Sequence, residues 1–112
     1  LEETPMIIDQ PRYEKLPEHF REPVRLYVEQ GVRPGDMITA ILNNNLLDAC
    51  CWIQPELLPQ IKELVLWFHW EVPALSWGSP IRVWLWTEAG GANGIQDWPA
   101  YNERLKDLEK EA

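Results

Sequence analysis

Seven tryptophans in 112 residues constrain this chain more than any other feature. A packed indole removes roughly 150–250 Å² from water and needs a partner for its N–H. All seven would crowd one small core. The sequence therefore predicts that some fill the interior and that others serve an interface or a stacking surface. A chain of this length is expected to form one domain with a single modest core, burying somewhat under about 70% of its unfolded surface.

Charge and cysteine usage exclude several classes. Ten basic residues lie scattered among eighteen acidic ones, for a net charge of −8. A duplex-binding surface needs clustered Lys and Arg to neutralise phosphates, and this chain has no such cluster. A small anion needs only two or three donors and stays open. The two cysteines, Cys50 and Cys51, are adjacent and poorly placed to bridge each other. With His19 and His69 as the only histidines, no zinc set is expected. No apolar run reaches the roughly 18 residues of a membrane-spanning helix, and no signal-peptide pattern opens the chain, so the expected location is the cytoplasm.

The periodicity predicts an all-α fold, a compact bundle of four to five short helices. Residues 1–12 read as an N-terminal arm and residues 13–112 as a single helical domain. Pro17 suits a first helical position, Phe20, Val24, Tyr27 and Val28 share one helical face, and Gly31 closes the helix. Pro23 is expected to kink or restart it. Asp36, after the Pro34-Gly35 turn, is read as the cap of a second helix with a stripe of Ile38, Ile41, Leu42, Leu46, Ala49, Cys50 and Ile53. Asn43, Asn44 and Asn45 interrupt that stripe, either as a polar face or as an amide ladder for a loop or ligand. A third helix is expected over residues 55–71, its core stripe Leu58, Ile61, Leu64, Val65, Phe68 and Val72. Trp67 and Trp70 form a second apolar ridge, so this helix is expected to pack on two sides or on a partner chain. Ser79-Pro80 caps a fourth helix from Ile81 to Ala89, ended by Gly90-Gly91, in which Trp86 is expected to face away from the Ile81–Trp84–Leu85 side. Asp97-Trp98-Pro99 opens a last, solvated amphipathic helix through Glu111.

Catalytic chemistry is sparse. Cys50 and Cys51 are expected to be buried on a core helix, where thiols are inert. No Ser or Cys belongs to a His-containing motif. Gly90-Gly91-Ala92-Asn93-Gly94 lacks the Lys of a phosphate loop. Of the carboxylates, only Glu71 and Asp48 sit in apolar surroundings. The chain therefore reads as a binding protein without cofactor or metal. Arg21, Arg25, Arg33 and Arg82, the last in the first turn of a helix, together with Tyr13, Tyr27 and the Trp rings, are the ingredients of a site for a nucleotide-like anion. The alternative is that the arginines pair with the excess carboxylates and the rings fill the core.

Tyr13-x-x-Leu16-Pro17, Tyr27-Val28-Glu29-x-Gly31, Pro34-Gly35, Ile41-Leu42-Asn43-Asn44-Asn45-Leu46, Pro73 and Trp77-Gly78-Ser79-Pro80 follow one another in an order that resembles small helical phage proteins. That group includes the anti-CBASS sponges, which sequester cyclic oligonucleotide messengers without cleaving them. The resemblance spans about Tyr13 to Gly94. It implies a symmetric homo-oligomer holding a cyclic di- or trinucleotide between protomers, with Tyr13 as the stacking ring and Arg33 as the phosphate contact. Arg82 and Trp77 complete the candidate ligand-binding set. No lysine matches the family's basic set, because Lys15 is followed by none before Lys62. The competing expectation is a phage-encoded inhibitor that blocks a host protein through an acidic, Trp-rich surface.

Overall fold

Gly31 closes the first helix as the sequence predicts, whereas Pro17 stands just before it with extended backbone rather than in its first position. In the computed structural model, which describes residues 11–111, α1 runs Glu18–Gln30 with Pro17 at its N-terminal boundary and Gly31 in the left-handed conformation at its C-terminal one. Phe20, Val24, Tyr27 and Val28 are all buried. Pro23 does not restart the helix. It lacks the N–H that would bond the His19 carbonyl, and α1 continues through it because Phe20 and Val24 on either side are anchored in the core. The expected N-terminal arm lies, through residue 10, outside the described residues.

The second predicted helix is two helices, α2 (Asp36–Leu42) and α3 (Leu46–Trp52). The three asparagines are the reason. Asn44 takes a positive φ of 64°, which Asn tolerates better than most residues. Its N–H bonds the Ile41 carbonyl at 3.0 Å, and the Asn45 N–H bonds the Ala40 carbonyl at 2.8 Å. These two bonds close α2 in a Schellman turn. Asn45 then starts α3, its side-chain oxygen accepting from the Asp48 N–H at 3.0 Å. The run is thus neither a polar face nor an amide ladder but a stop signal followed by a start signal. Replacing Asn45 with alanine is expected to lower stability by about 1 kcal/mol, the usual loss for such a cap, while Asn44→Gly stays within a few tenths of wild type. Urea midpoints of the two variants check this.

The turn re-aims everything after it. Only Ala49 of α3 is buried; Leu46, Leu47, Trp52, Cys50 and Cys51 are exposed, so the cysteines are not core residues as expected. Asp36 is likewise the first residue of α2 rather than its cap. The third predicted helix begins as a 3₁₀ turn, Pro55–Gln60, because Pro59 removes an N–H that a continuous α-helix would use. The α-helix proper, α4, runs Ile61–Glu71. Leu64, Phe68 and Val72 are buried as predicted, but Leu58 is exposed. The Trp67/Trp70 ridge is split: Trp67 is buried, whereas Trp70 is 75% exposed.

Ser79 caps α5 (Pro80–Ala89), accepting from the Arg82 N–H at 3.3 Å. Trp86 faces the core rather than away from it, with Val83 and Leu85, and Trp84 points outward. The Trp86 indole N–H donates to the Tyr27 carbonyl at 2.9 Å, while the Tyr27 hydroxyl donates to the Ser76 carbonyl at 2.6 Å. A single turn, α6 (Gly91–Gly94), follows and packs on α1, and α7 (Trp98–Glu111) closes the fold with Tyr101 and Leu105 inside. The described residues therefore form an all-helical bundle of seven α-helices and no strand, two helices more than the upper expectation: one from the asparagine turn and one from the Gly90-Gly91 turn. One apolar cluster, drawn from α1, α2, α4, α5 and α7 together with Leu16 and with Ala49 of α3, holds it together.

Candidate functional site

A groove of about 390 Å³ runs along α4, lined by Arg12, Lys15, Glu63, Leu66, Trp67, Trp70 and Glu71. Its second wall is the segment from Pro11 through the 3₁₀ turn Tyr13–Lys15, bolted onto α4 at several points. The Arg12 N–H donates to Glu71 Oε1 at 3.0 Å, its guanidinium reaches Glu71 Oε2 at 2.6 Å, and its carbonyl accepts from the Trp67 indole at 3.0 Å. The Tyr13 ring lies 5.5 Å from Trp67. The result is an aromatic and aliphatic floor of Leu66, Trp67 and Trp70 with a rim of both charge signs.

Hydrogen bonds from the Arg12 side chain and then from its backbone N–H hold the Glu71 carboxyl below its ordinary value of 4.5. A carboxylate depressed in this way contributes stability above its unfolded pKa, and that stability is lost as pH falls through the lower folded value. Urea midpoints of the wild type are therefore expected to fall on acidification from about pH 5 to about pH 3, with part of that fall removed in Glu71→Gln.

The smaller cleft, about 190 Å³, is lined by Ile41, Asn44, Asn45, Leu46, Val65 and Trp77. Two of the most distinctive strings of the sequence converge here, Ile41–Leu46 and Trp77–Pro80. The Gly78 N–H donates to the Leu42 carbonyl at 2.7 Å and ties them together. Trp77 is half-buried, with its ring 5.7 Å from Phe68, and forms a flat wall.

Of the four sequence-predicted ligand residues, only Trp77 lines either of these clefts. Tyr13 is half-buried against Trp67; burial first, then the Glu29 charge, pushes its phenol far above its ordinary value, so it stays protonated. Arg33 is exposed in the α1–α2 turn, paired with Asp36 at 3.1 Å. Arg82 ties α5 to α7 through Glu109 at 2.8 Å and to the Ala74 carbonyl at 2.6 Å. Arg25 is held between Glu22 and Glu29. These arginines thus follow the carboxylate-pairing alternative.

Sequence reasoning missed the groove. Its signal was the 3-residue step from Trp67 to Trp70, read as one ridge although it straddles the boundary between core and solvent. Among the described residues no group of three His, Cys, Asp or Glu side chains is placed to hold a metal ion, and no helix is long and apolar enough to cross a membrane. No protein-family model, curated protein or solved structure matches the chain.

Proposed function

We propose that the protein acts by binding rather than by catalysis, and that its ligand is another protein, docked on the outer face of α4. The observation that carries this reading is the pair Leu66 and Trp70. They lie one helical turn apart, are 45% and 75% exposed, and flank the 390 Å³ groove. An exposed tryptophan beside a preformed apolar groove is the composition of an interface anchor, and such anchors dominate binding energy. The mixed-charge rim of Lys15, Glu63 and the Arg12–Glu71 pair suits a polar border around that anchor. In this reading the chain is a phage counter-defence protein working in the host cytoplasm, and it blocks its target by occupying a surface.

Pull-down from host lysate, read by mass spectrometry, tests it. Wild type is expected to retain one protein in stoichiometric amount. Trp70→Ala is expected to weaken that complex by about 30-fold, the effect of losing an anchor worth about 2 kcal/mol. Equal recovery by wild type and Trp70→Ala rejects the α4 face.

The Trp77 cleft favours a second reading, sequestration of a cyclic di- or trinucleotide by a homo-oligomer. A ring wall, apolar sides and two asparagine amides suit the face and edge of one base, and one such stack is worth about 1–3 kcal/mol. Phosphates bound at Arg33 or Arg82 must displace Asp36 or Glu109. Isothermal titration with a panel of cyclic di- and trinucleotides separates the two readings. Stoichiometric heat that is weakened by Trp77→Ala, Tyr13→Ala and Arg33→Ala supports the sponge, and a flat titration across the panel removes it.

A further inference from the structure

The chain enters α7 through a turn that forms one side of a third cleft, of about 240 Å³. Ala89 and Ile95 supply apolar wall, and Gln96, Asp97, Tyr101 and Arg104 supply polar groups. Helical spacing gathers the last three. Asp97, just before α7, and Tyr101 and Arg104 within it fall at i, i+4 and i+7, which is one face.

Each of these groups has bonding capacity left over. Asp97 Oδ1 caps α7 by accepting from the Ala100 N–H at 3.0 Å, and Oδ2 has no hydrogen-bond partner among the described residues. Arg12, Arg25, Arg33 and Arg82 each hold a carboxylate. Arg104 is exposed and holds none among the described residues. Tyr101 is 8% exposed, and its hydroxyl has no hydrogen-bond partner. Burial pushes that phenol up to about 12 against the opposing pull of the Arg104 charge, so it is a neutral donor near a guanidinium. Buried hydroxyls are nearly always bonded. One left over in the wall of a cleft points to a partner outside the chain.

We propose that this cleft binds a free amino acid with a small apolar side chain, its carboxylate on Arg104 and the Tyr101 hydroxyl and its ammonium on Asp97 and the Gln96 amide oxygen. Charge selects a zwitterion. A simple anion would meet Asp97 and a chain of net charge −8, and a simple cation would meet Arg104. Spacing agrees. Cα atoms seven residues apart on a helix are about 10 Å apart, and the Arg104 side chain leans back toward Asp97. The remaining gap suits two charge-assisted bonds of about 2.8 Å with a short molecule between them. Size agrees as well, since 240 Å³ falls below the roughly 300–1,000 Å³ of a pocket for a drug-sized ligand. The cleft shares no residue with the α4 groove or the Trp77 cleft, so this proposal and the docking proposal fail independently.

Two-dimensional ¹H–¹⁵N NMR of the whole chain, titrated with L-valine and with L-alanine to about 20 mM, tests it. Saturable shifts are expected at Gln96, Asp97, Tyr101 and Arg104. N-acetylvaline and valinamide each lack one of the two charges and are expected to bind at least about tenfold more weakly than valine. Arg104→Gln is expected to weaken valine binding by a similar factor with an unchanged urea midpoint. Tyr101→Phe is expected to weaken binding several-fold while the ligand-free midpoint holds or rises, because it removes an unbonded buried hydroxyl. A titration without saturable shifts for either amino acid overturns the proposal. So does binding that N-acetylvaline matches, or that Arg104→Gln leaves unchanged.

Discussion

Replacing Gly91 with alanine is expected to cost about 3 kcal/mol or more, a large share of the 5–15 kcal/mol that keeps a domain folded. Two penalties act together. Gly91 holds φ at +71°, where a residue with a Cβ is strained by about 1–2 kcal/mol. A Cβ there would also stand 2.6 Å from the Gln30 N and 2.7 Å from the Glu29 carbonyl carbon, and closer still to the Gly31 N. Those atoms are backbone at the end of α1, so no side chain can swing aside. Gly31 faces the same limit from the other side: its Cβ would lie 2.6 Å from the Gly91 N. Gly35→Ala is the control. It meets nothing within 4 Å and sits at a φ of −62°, so it is expected to lower stability by under about 1 kcal/mol, through the poorer start it gives α2. Urea unfolding followed by circular dichroism reads all three. A Gly91→Ala midpoint equal to that of Gly35→Ala would mean that α1 and α6 do not touch.

Trp86→Ala is expected to cost about 3–5 kcal/mol, the range for removing a fully buried aromatic ring. Trp86 is 0% exposed and packs beside Trp98 and Tyr101, with ring centroids 6.0 and 6.1 Å away. Its removal leaves a cavity among α1, α5 and α7 and strips the Tyr27 carbonyl of its indole partner. Trp86→Phe keeps most of the apolar area but not that hydrogen bond, and is expected to fall between alanine and wild type. Far-ultraviolet circular dichroism is the suitable probe, since the substitution alters the fluorescence itself. A loss below about 1.5 kcal/mol for the alanine variant would contradict the packing described.

The elements legible in the sequence were those whose ends carry dedicated residues. Pro17 and Gly31, Ser79 with Pro80 and Gly90, and Asp97 before Trp98 mark α1, α5 and α7 closely. The α1 core face followed from spacing alone. The asparagine run is not legible as two ends because its place within the apolar stripe suggests one interrupted helix, whereas all three residues stand at helix ends. Trp67 and Trp70 differ by a rotation: Trp67 lies about 60° from Leu64 around the helix and Trp70 about 120°. Periodicity could not say where between them the core ends. Arg33–Asp36 and Arg25–Glu22 are neighbours at i, i+3 and could be foreseen. Arg12–Glu71 and Arg82–Glu109 join distant parts of the chain, and no local pattern announces them. The strings around Asn44 and Trp77 were visible as strings, but their meeting across one cleft depends on tertiary packing.

Because Gly31 and Gly91 meet main chain to main chain, the polypeptide between them leaves that junction and comes back to it, as a ring does at its clasp. The entropy of closing such a ring grows only with the logarithm of its length, and even a doubling adds about 0.6 kcal/mol. Extra residues spliced in at the exposed Gln54–Pro55 link would enlarge the ring and leave the clasp where it is. The fold thus has room for growth on one side of the junction and almost none at the junction itself.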